Sequence, residues 1–137
     1  MKLSRRDLAL LAPVIAGAQT PKPTLSTKVY KYEDLPVKPN GANEGRAVFD
    51  GTTHTGHPVE LHITDLGPGM APHAPHHHVH EEVLMLRSGQ LEVTIEDVTT
   101  TATAGSVIYV NSNEQHGWKN PGLDRAQYFV IAVGPKG

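Results

Sequence analysis

Residues 69–89 read Gly-Met-Ala-Pro-His-Ala-Pro-His-His-His-Val-His-Glu-Glu-Val-Leu-Met-Leu-Arg-Ser-Gly, and they hold most of the side chains in this sequence that could do chemistry. Five of the nine histidines (His73, His76, His77, His78 and His80) fall here, followed at once by Glu81 and Glu82. Neutral imidazole and carboxylate are the groups that hold a divalent transition metal where cysteine is absent, and this chain has none. On a strand, His76 and His78 would point to one face, and Glu82 keeps the same parity four residues later. Such a face presents two imidazoles and one carboxylate to a single ion. A solvated histidine-rich tract or an expression tag is the plainer explanation of histidine density. A tag, however, sits at a terminus and runs as pure histidine. This tract lies mid-chain, is interrupted by Pro72, Pro75 and Val79, and feeds into the apolar run Val83-Leu84-Met85-Leu86.

The elements that must position these residues read as short strands. Arg46–Phe49 is one, ended by Asp50-Gly51. Pro58–Thr64 alternates, with Val59, Leu61 and Ile63 on one side and Glu60, His62 and Thr64 on the other. Glu82–Arg87 turns at Ser88-Gly89 into Leu91–Ile95, a hairpin. Thr99–Thr103, Ser106–Val110, Gln115–Lys119 and Gln127–Val133 complete the set. Short strands with turns every eight to twelve residues predict an all-β sandwich or barrel, and 137 residues suit one domain.

The N-terminal third is different. Residues 1–18 have a basic start, an apolar middle and the small-residue end Ala16-Gly17-Ala18, the pattern of an export signal cleaved before Gln19. Ser4-Arg5-Arg6 also resembles a twin-arginine signal, which places the mature protein in the periplasm or outside the cell. Residues 19–44, punctuated by Pro21, Pro23, Pro36 and Pro39, read as an extended arm with a strand-like piece at Val29-Tyr30-Lys31-Tyr32, and residues 45–137 as the barrel. The whole chain carries a net charge of −2, and losing Lys2, Arg5, Arg6 and Asp7 makes the remainder more acidic. No Lys/Arg cluster survives to attract nucleic acid or an anionic membrane. Absence of cysteine excludes disulfides and cysteine nucleophiles.

A second motif joins the first. Gly105-Ser-Val-Ile-Tyr-Val-Asn-Ser-Asn-Glu-Gln-His116-Gly-Trp-Lys-Asn120 brings one further histidine to the start of a strand. The chain resembles the cupin superfamily. Gly69, His76, His78, Glu82 and Gly89 align with the fixed positions of that family's first motif, with six residues between Gly69 and His76 where the pattern has five. Gly105, His116 and Asn120 match the second motif, in which Asn111 and Asn113 replace a Pro and a Gly. Asn also tolerates tight turns. The resemblance implies a jelly-roll β-barrel of two antiparallel sheets and one metal ion held by His76, His78, Glu82 and His116.

Three nitrogens and a carboxylate oxygen suit Mn, Fe, Co, Ni, Cu or Zn and disfavour Ca and Mg. The remaining histidines match no ligand position: His77 should point away, His80 has the parity of a neighbouring or alternative ligand, and His54, His57 and His62 read as structural or exposed. The expected activity is that of a metal-dependent, dioxygenase-like oxidoreductase acting on a small molecule. The alternatives are small-molecule, sugar or carboxylate binding without turnover, and a metal-dependent decarboxylase or isomerase. Leu84, Leu86, Trp118, Tyr109 and Phe129 are expected to line the pocket. Val83 and Met85, facing away from the metal, suggest a covered outer face, and small cupins usually form a homodimer there.

Overall fold

A computed structural model describes residues 20–136, so the expected export signal lies outside the described residues. Nine strands form two antiparallel sheets: β1 (Val37–Asn40), β2 (Asn43–Thr52), β3 (Pro58–Leu66), β4 (Glu81–Ser88), β5 (Gln90–Ile95), β6 (Val98–Thr103), β7 (Val107–Val110), β8 (His116–Lys119) and β9 (Ala126–Val133). One sheet has the order β1-β2-β3-β9-β4-β7 and the other β6-β5-β8. This is the all-β, two-sheet jelly roll expected from the sequence. The described residues contain no α-helix, only a 3-10 turn at Tyr32–Asp34.

Cross-strand register decides which side chains face the interior, because directly paired residues share a face. Glu82, Ala132 and Val110 form one inward row, Leu84, Val130 and Ile108 the next, and Leu86 and Tyr128 a third. All of these are buried. Leu91, Val93 and Trp118 of the small sheet close the core against them. Each fully buried Leu or Val contributes about 1.5–3 kcal/mol by leaving water.

The same register corrects two expected pocket residues. Phe129 pairs with Met85 and Tyr109 with Val83, so both lie on the outer face; Tyr109 is 52% exposed. Leu84, Leu86 and Trp118 do face inward. β9 is apolar on both sides, so its parity could not be read from composition.

The N-terminal segment also differs from expectation. Val29–Tyr32 is not a strand; Val37–Asn40 is, paired to β2 as the edge of the large sheet, where Pro39 removes no needed ladder hydrogen bond. The sheet therefore begins before residue 45. Asp50-Gly51 does not end β2. The chain instead turns between Thr53 and His57, and Gly51 has another reason to be glycine. A Cβ there would meet the Pro23 carbonyl oxygen at 2.6 Å and Leu25 Cδ2 at 2.7 Å. The arm crosses at that point, its Pro23 and Leu25 backbone bonded to Thr52.

Farther along, the arm lies on the outer face. Tyr30 packs on Phe49 with ring centroids 5.6 Å apart, Arg46 and Arg87 stack over Tyr32, and Gln127 Nε2 donates to the Tyr32 hydroxyl at 2.8 Å. Ile63, an outer-face residue, is thereby buried. Met85, Val107 and Tyr109 remain uncovered.

Candidate metal centre

The two histidine motifs meet through backbone pairing. His76 and His116 exchange both hydrogen bonds, His76 N to His116 O at 2.9 Å and His116 N to His76 O at 2.8 Å, which sends their side chains to the same side. His76 therefore sits in a single bridge against the first residue of β8, and residues 77–80 are loop. The expected regular strand is absent, yet the two-residue spacing still brings His76 and His78 together.

Three contacts hold this loop in place. Asn113 N donates to the His78 carbonyl at 2.8 Å. Asn113 has φ 62°, the left-handed region that Asn adopts at small cost, so it performs the turn that glycine performs in the family pattern. Gly117 lets the loop approach β8, since a Cβ there would meet Pro75 Cγ at 3.0 Å. Asn120 is fully buried, and its side-chain amide reaches the carbonyls of Leu66, Gly67 and Asp124. Its backbone pairs with Gly69 and Met70. Asn120 thus anchors the start of the histidine loop.

At the cluster itself, the ring nitrogens of His76, His78 and His116 lie within 4.8 Å of one another, and so do the ligand atoms of His78, His80 and Glu82. Glu82 joins the first group through His78 Nε2 at 3.3 Å and His116 Nε2 at 3.6 Å. Neighbouring ligands about 2.1 Å from one ion stand roughly 3 Å apart, close to these separations.

Tautomers follow from the partners. His78 Nδ1 donates to the His80 carbonyl and His116 Nδ1 to the Glu114 carbonyl, both at 2.8 Å. A carbonyl only accepts, so each Nε2 keeps its lone pair. His78 Nε2, His116 Nε2 and Glu82 Oε2 are buried without a hydrogen-bond partner. Orphaned buried polar atoms are rare because each carries a desolvation penalty. Three that converge, all of them electron-pair donors, fit a divalent cation.

Burial, reinforced by the neighbouring His73, His116 and His78, lowers the pKa of His76; burial and then His78 lower that of His80. Both shifts keep the rings neutral, the form that binds metal.

His73 stacks on His76 at 4.1 Å. His80 stacks on His78 at 3.6 Å and places Nε2 3.3 Å from Glu82 Oε1. His77 is exposed and touches Gln115, pointing away as expected. Two features escaped the sequence. Tyr128 is buried beside the centre, its hydroxyl accepting from Trp118 Nε1 at 2.7 Å, and burial pushes its phenol well above the ordinary range. Glu60, His62 and Thr64 turn inward, in register with Ala132, Val130 and Tyr128; only the β3–β9 pairing reveals this.

Comparison with known proteins agrees with the architecture. The Cupin domain family matches residues 62–132. An RmlC-like cupin from Shewanella frigidimarina superimposes with TM-score 0.67 at 18% identity, over 80% of this chain and 93% of that one. The polyketide cyclase RemF from Streptomyces resistomycificus gives 0.68 at 16% identity, over 81% and 82%. A predicted oxalate decarboxylase from Thermotoga maritima gives 0.65 at 15% identity, over 79% and 100%. At these identities the likeness establishes fold alone. No curated protein matches the sequence. With two sheets in jelly-roll order, a converged histidine cluster and a family match across more than half its length, the chain belongs to the cupin family.

Proposed function

We propose that this cupin is an exported, metal-dependent enzyme in which His76, His78, Glu82 and His116 hold one divalent transition metal, drawn from Mn, Fe, Co, Ni, Cu and Zn. The observation that carries this reading is the convergence of partnerless His78 Nε2, His116 Nε2 and Glu82 Oε2 in a buried site. Four protein ligands leave two positions of an octahedral ion open, and a bound metal supplies Lewis acidity or redox capacity there. The chain's own residues do the rest. Backbone carbonyls fix the His78 and His116 tautomers, His80 steadies one oxygen of Glu82, and Leu84, Leu86 and Trp118 keep the interior dry.

The favoured activity is dioxygenase-like oxidation of a small molecule, with non-oxidative decarboxylation, isomerisation or cyclisation as the runner-up. Two structural neighbours, named as a polyketide cyclase and a predicted oxalate decarboxylase, support retaining that second reading. Binding without turnover is the third. Oxygen-electrode assays on a panel of catechols and β-diketones separate them. Metal-dependent oxygen consumption supports the first, and carbon dioxide release or isomerised product under argon supports the second. Thermal stabilisation without product supports the third.

The export reading rests on residues 1–18 alone. Arg5→Lys with Arg6→Lys should leave uncleaved precursor in the cytoplasm; normal periplasmic yield would assign the general secretory route instead. The homodimer rests on the uncovered patch of Met85, Val107 and Tyr109. Sedimentation of a monomer at micromolar concentration would remove it. No described helix is long and apolar enough to cross a membrane.

A further inference from the structure

β3 is oriented opposite to what its composition suggests. Its apolar residues Leu61 and Ile63 face outward beneath the N-terminal arm, while Glu60, His62 and Thr64 face the barrel interior in register with Ala132, Val130 and Tyr128. Inward polar groups carry a desolvation cost unless they are partnered or have something to bind. Glu60 is partnered. Its Oε1 accepts from His62 Nδ1 at 2.8 Å, which leaves the lone pair on His62 Nε2. That hydrogen bond, ahead of the other influences on the group, holds the Glu60 carboxyl below its ordinary pKa, so it accepts as a carboxylate.

The ring stands beside a cavity of about 720 Å³, lined by His62, Thr64, Ala47, Asn43, Lys38 and Pro72. Pro72 belongs to the loop that carries the histidine cluster, and Asn43 Nδ2 ties that loop to β2 by donating to the Ala71 carbonyl at 3.2 Å. The cavity therefore lies over β1–β3 and is bordered by the loop that leads into the histidine cluster. Glu60 shares its inward row with Ala132 and Glu82, two strand spacings or roughly 10 Å across the sheet. The small side chain of Ala132, on the strand between them, leaves this row free of bulk.

We propose that the inward face of β3 is the ligand-recognition wall of the barrel: His62, oriented by Glu60 and flanked by Thr64, accepts a hydrogen bond from a hydroxyl on the end of the substrate remote from the metal. The proposal rests on the metal reading above and narrows its substrate class. That class is a small molecule with paired chelating oxygens at one end and a hydroxyl about one ring-width away. His62 contacts the ligand, and Glu60 acts as a positioning residue.

The test uses iron-loaded mature protein under argon and two probes that chelate through vicinal hydroxyls, 4-methylcatechol and 3,4-dihydroxybenzyl alcohol. Only the second carries the distal hydroxyl. Binding is read from the visible iron–catechol band and iron content by elemental analysis. Wild type should bind the alcohol about tenfold more tightly, the effect of one partly buried hydrogen bond. His62→Ala should erase that preference, His62→Gln should keep part of it, and both should retain iron and unchanged 4-methylcatechol affinity. Nitrogen-15 NMR should show the proton on His62 Nδ1 in wild type and a tautomer mixture in Glu60→Ala.

Equal affinity for both probes in wild type, or a preference that survives His62→Ala, overturns the proposal. An unchanged tautomer in Glu60→Ala overturns the role of Glu60. Failure of the metal reading is distinguishable, because the protein would then lose iron on dialysis and show no band with either probe; the recognition wall falls with it.

Discussion

The two ends of the barrel's inner surface are built on opposite terms. At the β4–β8 end, His76, His78, His80, His116 and Glu82 crowd together, locked by backbone hydrogen bonds and with three donor atoms left facing one another. At the β1–β3 end, His62 and Thr64 border an open cavity with space around them. On the proposed reading, the closed end serves one kind of chemistry, coordination of a cation, and tolerates little change. On the same reading, the open end leaves choice of ligand to a few residues whose replacement should spare both fold and metal. On the reading proposed above, such a barrel keeps its metal centre fixed while recognition varies two strands away in the same sheet.

The largest expected effect tests the closed end. Chelating the metal, or removing a ligand in His116→Ala, should abolish the stabilisation that a bound ion gives the folded state, about 3–4 kcal/mol when metal is in hundred- to thousandfold excess over Kd. For a domain of this size that lowers Tm by roughly 10–20 °C, measurable by calorimetry with and without added metal. An unchanged Tm in both cases would break the contrast between the two ends.

Asn120→Ala comes next. It strips partners from the buried carbonyls of Leu66 and Gly67 and should cost about 2–3 kcal/mol in denaturant unfolding, with weaker metal retention as the histidine loop loosens. Loss of stability with metal binding intact would show that Asn120 supports the core and not the loop.

Acid should weaken the metal-free protein more gently. His76 and His80 have folded-state pKa values below the ordinary 6.5, so the unfolded chain takes up their protons first as pH falls. Stability is then flat above about 7 and declines as pH drops through roughly 6.5 towards the lowered folded values. Urea midpoints between pH 8 and 5.5 measure this; a rise over that interval would contradict the assigned burial of the two rings.

The smallest effect belongs to the outer patch. Tyr109→Lys should change the stability of the single chain by no more than about 0.5 kcal/mol, yet it should shift sedimentation towards monomer if the patch pairs two copies.

Much of this contrast was legible in the sequence, and unevenly so. The closed end was, because the spacing of His76, His78 and Glu82 gives them one parity and the resemblance to the cupin motifs adds His116; the structure brings the four side chains together. The succession of β4 to β9 along the chain followed from turns and alternation, but the hairpin expected between β4 and β5 did not form. At Gly89 the chain passes from the large sheet into the small one, and the two strands pair with other partners. The open end was not. β9 carries apolar residues on both faces, so nothing local told Tyr128 from Phe129, and β3 carries a clean alternation whose apolar side turned out to face the arm. Which side points inward is set by pairing between segments some seventy residues apart. Likewise, Gly51 reads as a turn residue but serves a close crossing of the arm, a contact invisible along the chain.

The central claim is that four side chains from two distant motifs hold one ion. Elemental analysis of wild type, His116→Ala and His77→Ala, purified alike and dialysed against metal-free buffer, tests it most directly. His116 is buried with its Nε2 facing Glu82, whereas His77 is exposed and bonded only to Gln115. Wild type and His77→Ala should each retain about one transition-metal ion per chain, and His116→Ala far less. Equal retention by the two variants would contradict the account, since His116 would then not be a ligand.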